Sequence, residues 1–280
     1  MSLVKEKTTK KALETIYSYD EVLSSSVEYF KGDELAATTW MNKYAMKNAN
    51  NEFVEKSPDD MHKRMAKEFA SIEEKYKLKY SLNGSAKYLS KYGKEREDLT
   101  ENKIYSLFRN FNYIVPQGSV MSSLGNPFKL ASLSNCIVVP EMHDSYGGVF
   151  YTDQQLAQLF KRRCGVGVDI SSLRPSGSRV SNAAGTTSGA VSFMERFSNT
   201  TREVAQNGRR GALMLTIDIA HPDVEDFITI KQDLTKVTGA NVSIRLSDEF
   251  MQAVENNEEY THRWPIDSDS PKITKTVNAQ

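Results

Sequence analysis

The chain of 280 residues has 39% hydrophobic and 26% charged residues, an ordinary composition for a globular protein. Its 36 Lys and Arg balance 36 Asp and Glu, which argues against a protein dedicated to nucleic-acid polymers or a membrane surface but permits a small basic nucleotide pocket. No run approaches the roughly 20 apolar residues of a membrane span, and residues 1–7 lack the apolar segment of a signal peptide. The two cysteines, Cys136 and Cys164, are too few for a disulfide framework or a CxxC-type zinc site. We therefore expect a cytoplasmic protein, and no metal site is predicted.

Residues 1–111 are predicted to be mainly helical. Ser57, Pro58 and Asp59 have the features of a helix start, with a hydroxyl cap, proline in the first turn and acid near the positive end of the helix dipole. Apolar residues then recur at three- and four-residue steps and are interpreted as core: Met61, Met65, Phe69, Ile72 and Tyr76. Asp33 predicts another helix start, and the apolar residues expected to be buried after it are Leu35, Trp40, Met41 and Tyr44. A shorter apolar stripe includes Ile104 and Phe108, and residues 80–98 are predicted to be an irregular connection.

Residues 112–280 alternate strand-like and helix-like segments, which predicts an α/β region with largely parallel strands. Strands are predicted at 136–139, where the strand is expected to be buried, and at 166–170, 212–219 and 241–246. Helix starts are predicted at a capping box beginning with Thr152, at Pro222-Asp223 and at Ser247, and a further helix is predicted around Met194. The residues from Glu258 onward are polar, and no closing element is expected there.

The glycine patterns disfavour the familiar nucleotide-binding folds. The stretch 164–169 lacks the third glycine of the dinucleotide fingerprint, and no GxxxxGK[ST] phosphate loop exists. Two other loops carry paired arginines, at 171–179 and at 206–212. Arginine forks suit phosphate or a base edge, whereas a solvated basic turn is the simpler interpretation of either loop alone. Because the first loop follows a strand, where α/β proteins place ligands, both interpretations remain open.

The cysteines are also ambiguous from the residues alone. Cys136 precedes a β-branched run and is interpreted either as a buried small hydrophobic residue or as a reactive thiol. Cys164 follows the basic residues 161–163, which would favour a thiolate if the side chain were exposed, but it could equally fill space in the core.

Six segments together resemble the large subunit of ribonucleotide reductases. They are 132–136 (SLSNC), 161–167 (KRRCGVG), 173–178 (LRPSGS), 193–196 (FMER), 208–214 (GRRGALM) and 236–242 (KVTGANV). Their order and spacing match the family from about Tyr113 to Tyr260, and the helical part matches more loosely. The sequences of these segments are most similar to those of the adenosylcobalamin-dependent class, which reduces diphosphates. The alternative is the class that takes its radical from a separate metal-containing subunit.

The resemblance implies roles for residues at matching positions. Cys136 would be the first of two cysteines that reduce the ribose. The positions implied to contact substrate are Ser119, Asn135, Gly165 and Arg210, and those implied to bind a deoxynucleoside triphosphate or ATP effector are Asp144, Ser145 and Arg174. Segments 171–180 and 206–212 would be the two specificity loops. We expect Arg174 to hold the phosphates and Asp144 a sugar hydroxyl or base, at opposite ends of the effector. Cys164 stands where the family usually has glycine and is assigned no role.

The implied fold is α/β, with a helical N-terminal region followed by the first half of a ten-stranded α/β barrel. The radical-bearing cysteine, the second redox cysteine and the catalytic Asn and Glu would belong to the second half. The chain is therefore interpreted as one part of the enzyme, inactive alone. The implied partners are that C-terminal half, a second copy in a homodimer, a nucleotide substrate and a thioredoxin-type reductant, with no nucleic-acid polymer and no membrane. The alternative is a non-catalytic nucleotide-binding or assembly module derived from the reductase.

Overall fold

The computed structural model describes residues 15–82, 90–204 and 211–280. The chain forms two compact units, Met1–Leu133 and Ser134–Gln280. This division lies C-terminal to the change of pattern at residue 112, because a short helix at Gly118–Ser123 packs against the long helix of the first unit. In the described ranges, no helix is long and apolar enough to cross a membrane.

The first unit is helical, as predicted. Its helices in the described residues are α1 (Tyr19–Tyr29), α2 (Glu34–Lys43), α3 (Pro58–Leu82), α4 (Lys91–Glu95), α5 (Glu101–Phe108) and α6 (Gly118–Ser123). Helix α3 begins at the proline that the sequence indicated, and the Asp33 carboxylate accepts the backbone N–H of Ala36 to cap α2. The short helix α4 falls within the stretch 80–98 that was predicted to be irregular.

The core of this unit is narrower than the apolar stripes predicted. It is built from residues of α1 to α3, α5 and α6 that are almost fully buried: Val22, Trp40, Met41, Met61, Met65, Ile104, Phe108 and Met121. Leu35 is 78% exposed, because it lies two positions, about 200° of helix rotation, from the buried Ala37. Ile72 and Tyr76 are exposed, because the buried side chains of α3, among those described up to residue 77, lie near its start. The predicted burial of Leu35, Ile72 and Tyr76 was therefore wrong, whereas that of Trp40, Met41, Met61 and Met65 is confirmed.

A buried ion pair fastens α6 to α3. Arg64 Nε donates to Glu55 Oε1 at 2.6 Å, and both side chains are almost fully buried. The Arg64 guanidinium also donates to the carbonyl of Met121 at 2.8 Å and to that of Leu124. Because the arginine satisfies these carbonyls near the end of α6, it fixes that helix in the first unit.

The second unit contains a parallel sheet, as predicted. Its strands run in sequence order: β1 (Cys136–Val138), β2 (Gly165–Asp169), β3 (Leu213–Asp218) and β4 (Ala240–Arg245). The helices are α7 (Tyr146–Phe160), α8 (Met194–Glu203), α9 (Val224–Thr229) and α10 (Asp248–Asn256). An antiparallel hairpin, β5 (Glu259–Trp264) and β6 (Ile273–Asn278), follows. The expectation of no closing element after Glu258 was therefore wrong: alternating polar and apolar residues pair across this hairpin, burying Tyr260 and His262.

Only one face of the parallel sheet is covered in the described structure. Alternate residues of β2 and β3 point into the helix-covered core, where Val166, Val168, Leu213, Leu215 and Ile217 are buried. The other residues of these strands, together with the exposed alternate residues of β1 and β4, form the open face. Val138, predicted to be buried, is 78% exposed because β1 is an edge strand that presents it to this face. Parallel sheets are normally covered on both faces. The open face is therefore a surface on which a ligand or further protein would bind.

The start of α7 also differs from the prediction. The helix begins at Tyr146, capped by Ser145, whose hydroxyl accepts the backbone N–H of Gly148. Thr152 and Asp153 lie inside the helix and are buried, so the capping box predicted there was wrong. The Asp153 carboxylate instead accepts the hydroxyl of Thr200 at 2.5 Å, which joins α7 to α8.

Candidate functional site

The Cys136 thiol lies at the amino end of β1, on the open face. It is exposed, which favours the reactive-thiol interpretation over the buried one. Cys136 is in register with Gly165 at the amino end of β2. The Gly165 backbone N–H donates to the carbonyl of Asn135 at 2.7 Å. The strand pairing therefore brings Asn135, Cys136 and Gly165 together, as the resemblance implies for a substrate site.

Two glycines leave the sheet surface beside the thiol bare. A Cβ on Gly165 would lie 3.3 Å from the Asn135 carbonyl oxygen and 3.4 Å from Ala212 Cβ, which is a tight fit. Gly167 lies two residues further along the same face, where an added Cβ would meet Val138 at 3.5 Å. Because neither position carries a side chain, a ligand can approach the β2 backbone next to Cys136.

The open face forms a broad cleft of about 890 Å³, which is large enough for a nucleotide. Its floor runs from Cys136 across Met214 to the polar side chains of β4. At the carboxyl ends of the strands, Arg245 Nε contacts Asp218 at 2.8 Å and its Nη1 lies 3.6 Å from Asp169. The cleft is thus apolar and thiol-bearing at one end and charged at the other.

The three residues implied to bind the effector gather at the carboxyl edge of the sheet. Asp144 and Ser145 follow β1, and Arg174 follows β2. The carboxylate of Asp144 accepts Arg174 Nε at 2.7 Å and the Arg174 backbone N–H at 3.1 Å. The two side chains are each other's hydrogen-bonding partners, and their expected hold on opposite ends of an effector stays a prediction. Asp144 orients the arginine, and the guanidinium also donates to the carbonyl of Arg179 at 3.0 Å.

Ser145 also has a structural role at the carboxyl edge of the sheet. Its hydroxyl caps α7 by accepting the Gly148 N–H at 3.1 Å, and it lies 3.0 Å from His143 Nδ1. A Cβ on Gly148 would lie 2.0 Å from the His143 carbonyl oxygen, so this turn requires glycine. Ser145 therefore fixes the amino end of α7 beside the Asp144–Arg174 pair, where the helix dipole favours an anion.

The segment after Arg174 projects as a small hairpin. Gly177 N–H donates to the Thr187 carbonyl at 2.9 Å, and Thr187 N–H donates to the Ser178 carbonyl at 3.0 Å. Arg179 is exposed on this hairpin, and its guanidinium has no partner in the described part of the chain. The basic loop was recognised in the sequence, but the particular arginine that the pairing leaves available was not.

Ser119 and Arg210 were also predicted to contact substrate. Ser119 is buried in α6 of the helical unit. Arg210 and residues 206–209 of the second arginine loop lie outside the described residues. Cys164 is buried with its Sγ 3.2 Å from the Gly165 carbonyl oxygen, which supports the packing interpretation.

Family comparisons agree with this architecture. Residues 30–128 match the family described as "Ribonucleotide reductase, all-alpha domain", and residues 134–279 match "Ribonucleotide reductase, barrel domain". The second match covers more than half of the chain. The chain therefore belongs to the ribonucleotide reductase large-subunit family, a family of oxidoreductases, and has its helical domain followed by the parallel-strand region of its barrel domain.

The names of individual relatives agree with this family. A vitamin B12-dependent ribonucleoside-diphosphate reductase of Mycobacterium tuberculosis is 36% identical over 154 residues, covering 54% of this chain and 22% of the relative. One of the same name from Thermoplasma acidophilum is 30% identical over 276 residues, covering 85% of this chain and 35% of the relative. The ribonucleoside-diphosphate reductase large chain of Schizosaccharomyces pombe is 33% identical over 144 residues, covering 48% of this chain and 17% of the relative. The chain thus spans about a sixth to a third of the length of these relatives.

Proposed function

We propose that the chain supplies the substrate-reducing thiol and the effector site of a ribonucleotide reductase. The observation that carries this proposal is the exposed Cys136 thiol at a strand end beside the bare backbone of Gly165. That arrangement lets a ribose approach the sulfur closely. The effector residues lie at the carboxyl ends of the strands, whereas Cys136 lies at the amino end of β1. This arrangement suits two sites that communicate without overlapping.

The reaction implied by the family replaces the ribose 2′-hydroxyl with hydrogen. The hydroxyl leaves as water, and two cysteine thiols supply the two electrons and become one disulfide. In this proposal Cys136 is one of these thiols, and a cysteine on the second half of the barrel is the other. Cys164, the only other cysteine of the sequence, is buried and unsuited to the second role. The 280-residue chain by itself is therefore expected to turn over no ribonucleotide.

The proposed radical source is adenosylcobalamin, since two of the relatives are named vitamin B12-dependent. The S. pombe relative is not so named, which keeps a separate metal-containing subunit as the alternative. When bound, the cofactor supplies the radical that starts the reaction, and this chain supplies the reducing thiol and the substrate surface.

The proposed effector is a deoxynucleoside triphosphate or ATP at the carboxyl edge. Its phosphates would meet the oriented guanidinium of Arg174, the available guanidinium of Arg179 and the amino end of α7. The proposed partners are the C-terminal half of the barrel, a second copy of the chain and a thioredoxin-type reductant. The half-barrel would cover the open face, on which Val138 and Met214 are exposed.

Complementation tests this function directly. The chain is combined with a polypeptide that carries the second half of the barrel, and dCDP formation from CDP is followed with adenosylcobalamin and a dithiol reductant. We expect turnover that Cys136→Ser abolishes and that Cys164→Ser retains. Nucleotide binding without turnover by a correctly assembled pair would favour the alternative, a non-catalytic binding module.

A further inference from the structure

Two residues to which sequence reasoning assigned no site role form a buried network under the loop that carries Arg174 and Arg179. His221 is fully buried and Asp223 is 6% exposed, and both lie between β3 and α9. Neither residue lies at the Cys136 site or in the Asp144–Arg174 pair. Their hydrogen bonds reach three positions of the segment 173–190, which we call the effector loop.

Asp223 ties the two ends of the effector loop together. Its carboxylate accepts the Ser176 backbone N–H at 2.9 and 3.1 Å, near the start of the loop. It also accepts the Ala190 backbone N–H at 3.0 Å, at the end of the loop. No cation pairs with this carboxylate in the described structure, so backbone N–H groups are what satisfies its charge.

Gly189 makes this junction possible. Its φ of +88° is in the left-handed region that favours glycine. A Cβ at this position would lie 2.4 Å from Asp223 Oδ2 and 2.6 Å from the Ser176 nitrogen. The loop is therefore built to close directly onto the carboxylate, with no room for a side chain between them.

His221 orients Asp223 and adds a third connection. Its Nδ1 accepts the backbone N–H of Asp223 at 3.0 Å, so the ring proton is on Nε2, which donates to the Leu173 carbonyl at 2.8 Å. The neutral ring thus satisfies both nitrogens. Burial lowers the pKa of His221, which keeps the ring in this neutral form.

The loop ends where α8 begins. Ala190 immediately precedes a short 3-10 turn, Val191–Phe193, that leads into α8. Asp223 therefore places a negative charge at the amino end of this helical segment, where the dipole favours it. One carboxylate fixes the start of the effector loop, its end and the helix that continues towards the amino edge of the sheet.

We propose that Asp223, held by His221, is the positioning residue of the effector loop and sets the location of Arg174 and Arg179 for a triphosphate. This inference rests on the proposed function, because it assigns the loop to effector binding. The positioning itself is a property of the loop and can be measured without nucleotide.

The test compares Asp223→Asn with Asp226→Asn, a matched change at an exposed position of α9. The first readout is hydrogen exchange at the amides of Ser176 and Ala190 in the full chain, without nucleotide. Replacing the carboxylate with an amide removes one acceptor and places an N–H against a backbone N–H. We expect exchange at these amides to rise about tenfold or more in Asp223→Asn, while Asp226→Asn matches the wild type. Unchanged exchange in Asp223→Asn would overturn the proposal.

The second readout is the affinity for each of the four deoxynucleoside triphosphates, measured by calorimetry. We expect Asp223→Asn to weaken binding about tenfold or more and to change the ranking of the nucleotides, with the unfolding temperature of the second unit retained. General destabilisation would instead lower binding of all four by the same factor. Raised exchange with wild-type affinity and ranking would overturn the positioning role. Failure of the wild type to bind any triphosphate would count against the proposed function, while the exchange readout still decides whether Asp223 holds the loop.

A second variant addresses the case in which Asp223→Asn does not fold. Gly189→Ala keeps the carboxylate but introduces a Cβ within 2.4 Å of it. It should raise exchange at the Ser176 amide and weaken triphosphate binding in the same direction. Wild-type exchange and affinity in this variant would contradict the junction described here.

Discussion

Protonation of His62 should destabilise the helical unit in mild acid. His62 is fully buried in α3, stacked on Phe108 and edge-to-face with Phe111. Its Nδ1 lies 3.3 Å from the Tyr29 hydroxyl, and its Nε2 has no hydrogen-bonding partner in the described residues. A second ring proton would have no acceptor in this apolar site. Burial accordingly lowers the pKa of His62 from 6.5 to about 4.

The sign and size of the effect follow from linkage. The unfolded chain takes up the proton near pH 6.5 and the folded unit only near pH 4, so stability is complete above pH 6.5 and is lost as the pH falls towards 4. One pKa unit corresponds to about 1.4 kcal/mol, so the free energy of unfolding should fall by about 2 kcal/mol between pH 7 and pH 5. His62 is the only histidine of the first unit, and shifted carboxylates such as Asp59 titrate at lower pH. The slope in this window is therefore assigned to His62.

The two tryptophans allow the units to be measured separately. Trp40 is buried in the first unit and Trp264 belongs to the second, so the fluorescence of a Trp264→Phe variant reports the first unit alone. Urea unfolding at pH 7 and pH 5 should show the loss in this background. His62→Phe keeps an aromatic ring in the site and should abolish the pH dependence, whereas His143→Gln, an exposed histidine of the second unit, should preserve it. An identical slope in His62→Phe and its parent would refute this reasoning.

Three further predictions concern the turns and pairs described above. Gly148→Ala should weaken the α7 cap by about 1–2 kcal/mol, since its Cβ would lie 2.0 Å from a carbonyl oxygen, whereas Gly147→Ala, with its nearest neighbour at 3.7 Å, should be nearly neutral in thermal unfolding. Arg64→Met should cost about 3–5 kcal/mol in the Trp40 fluorescence assay by leaving Glu55 charged and buried, and a loss below 1 kcal/mol would contradict the role of the pair. Arg174→Ala should weaken calorimetric binding of triphosphates about tenfold or more, and wild-type affinity would exclude this arginine from the effector site.

Local patterns of sequence predicted most of the elements. The structure confirms the helix start at Pro58 and the hydroxyl cap at Ser247, both of which depend on neighbouring residues in the sequence. The alternation of residue character along β3 likewise predicted one buried face, and alternate residues of this strand are buried. The burial of Val138 was misjudged because strand composition does not reveal which strand is at the edge. The helix start at Thr152 was wrong because a capping pattern can also occur inside a helix, where Asp153 instead bonds to α8.

Some residues of the candidate site could be predicted from the sequence, but their contacts with one another could not. Family resemblance indicated Cys136 and Gly165, and parallel pairing brings them together. It could not indicate that Asp144 binds Arg174 directly. The two residues are 30 positions apart in the sequence, and they meet only because β1 and β2 lie side by side. Asp223 was missed for the same reason, since its backbone partners belong to a loop more than 30 residues away.

The oxidation state of Cys136 after one turnover tests the central claim most directly. The chain, assembled with the second half of the barrel, is reduced, freed of external reductant and given adenosylcobalamin and CDP, and its thiols are then alkylated and located by mass spectrometry. We predict about one dCDP per site, with Cys136 recovered in a disulfide with a cysteine of the second half and Cys164 still alkylated after unfolding. Formation of dCDP with Cys136 still a free thiol would contradict the account.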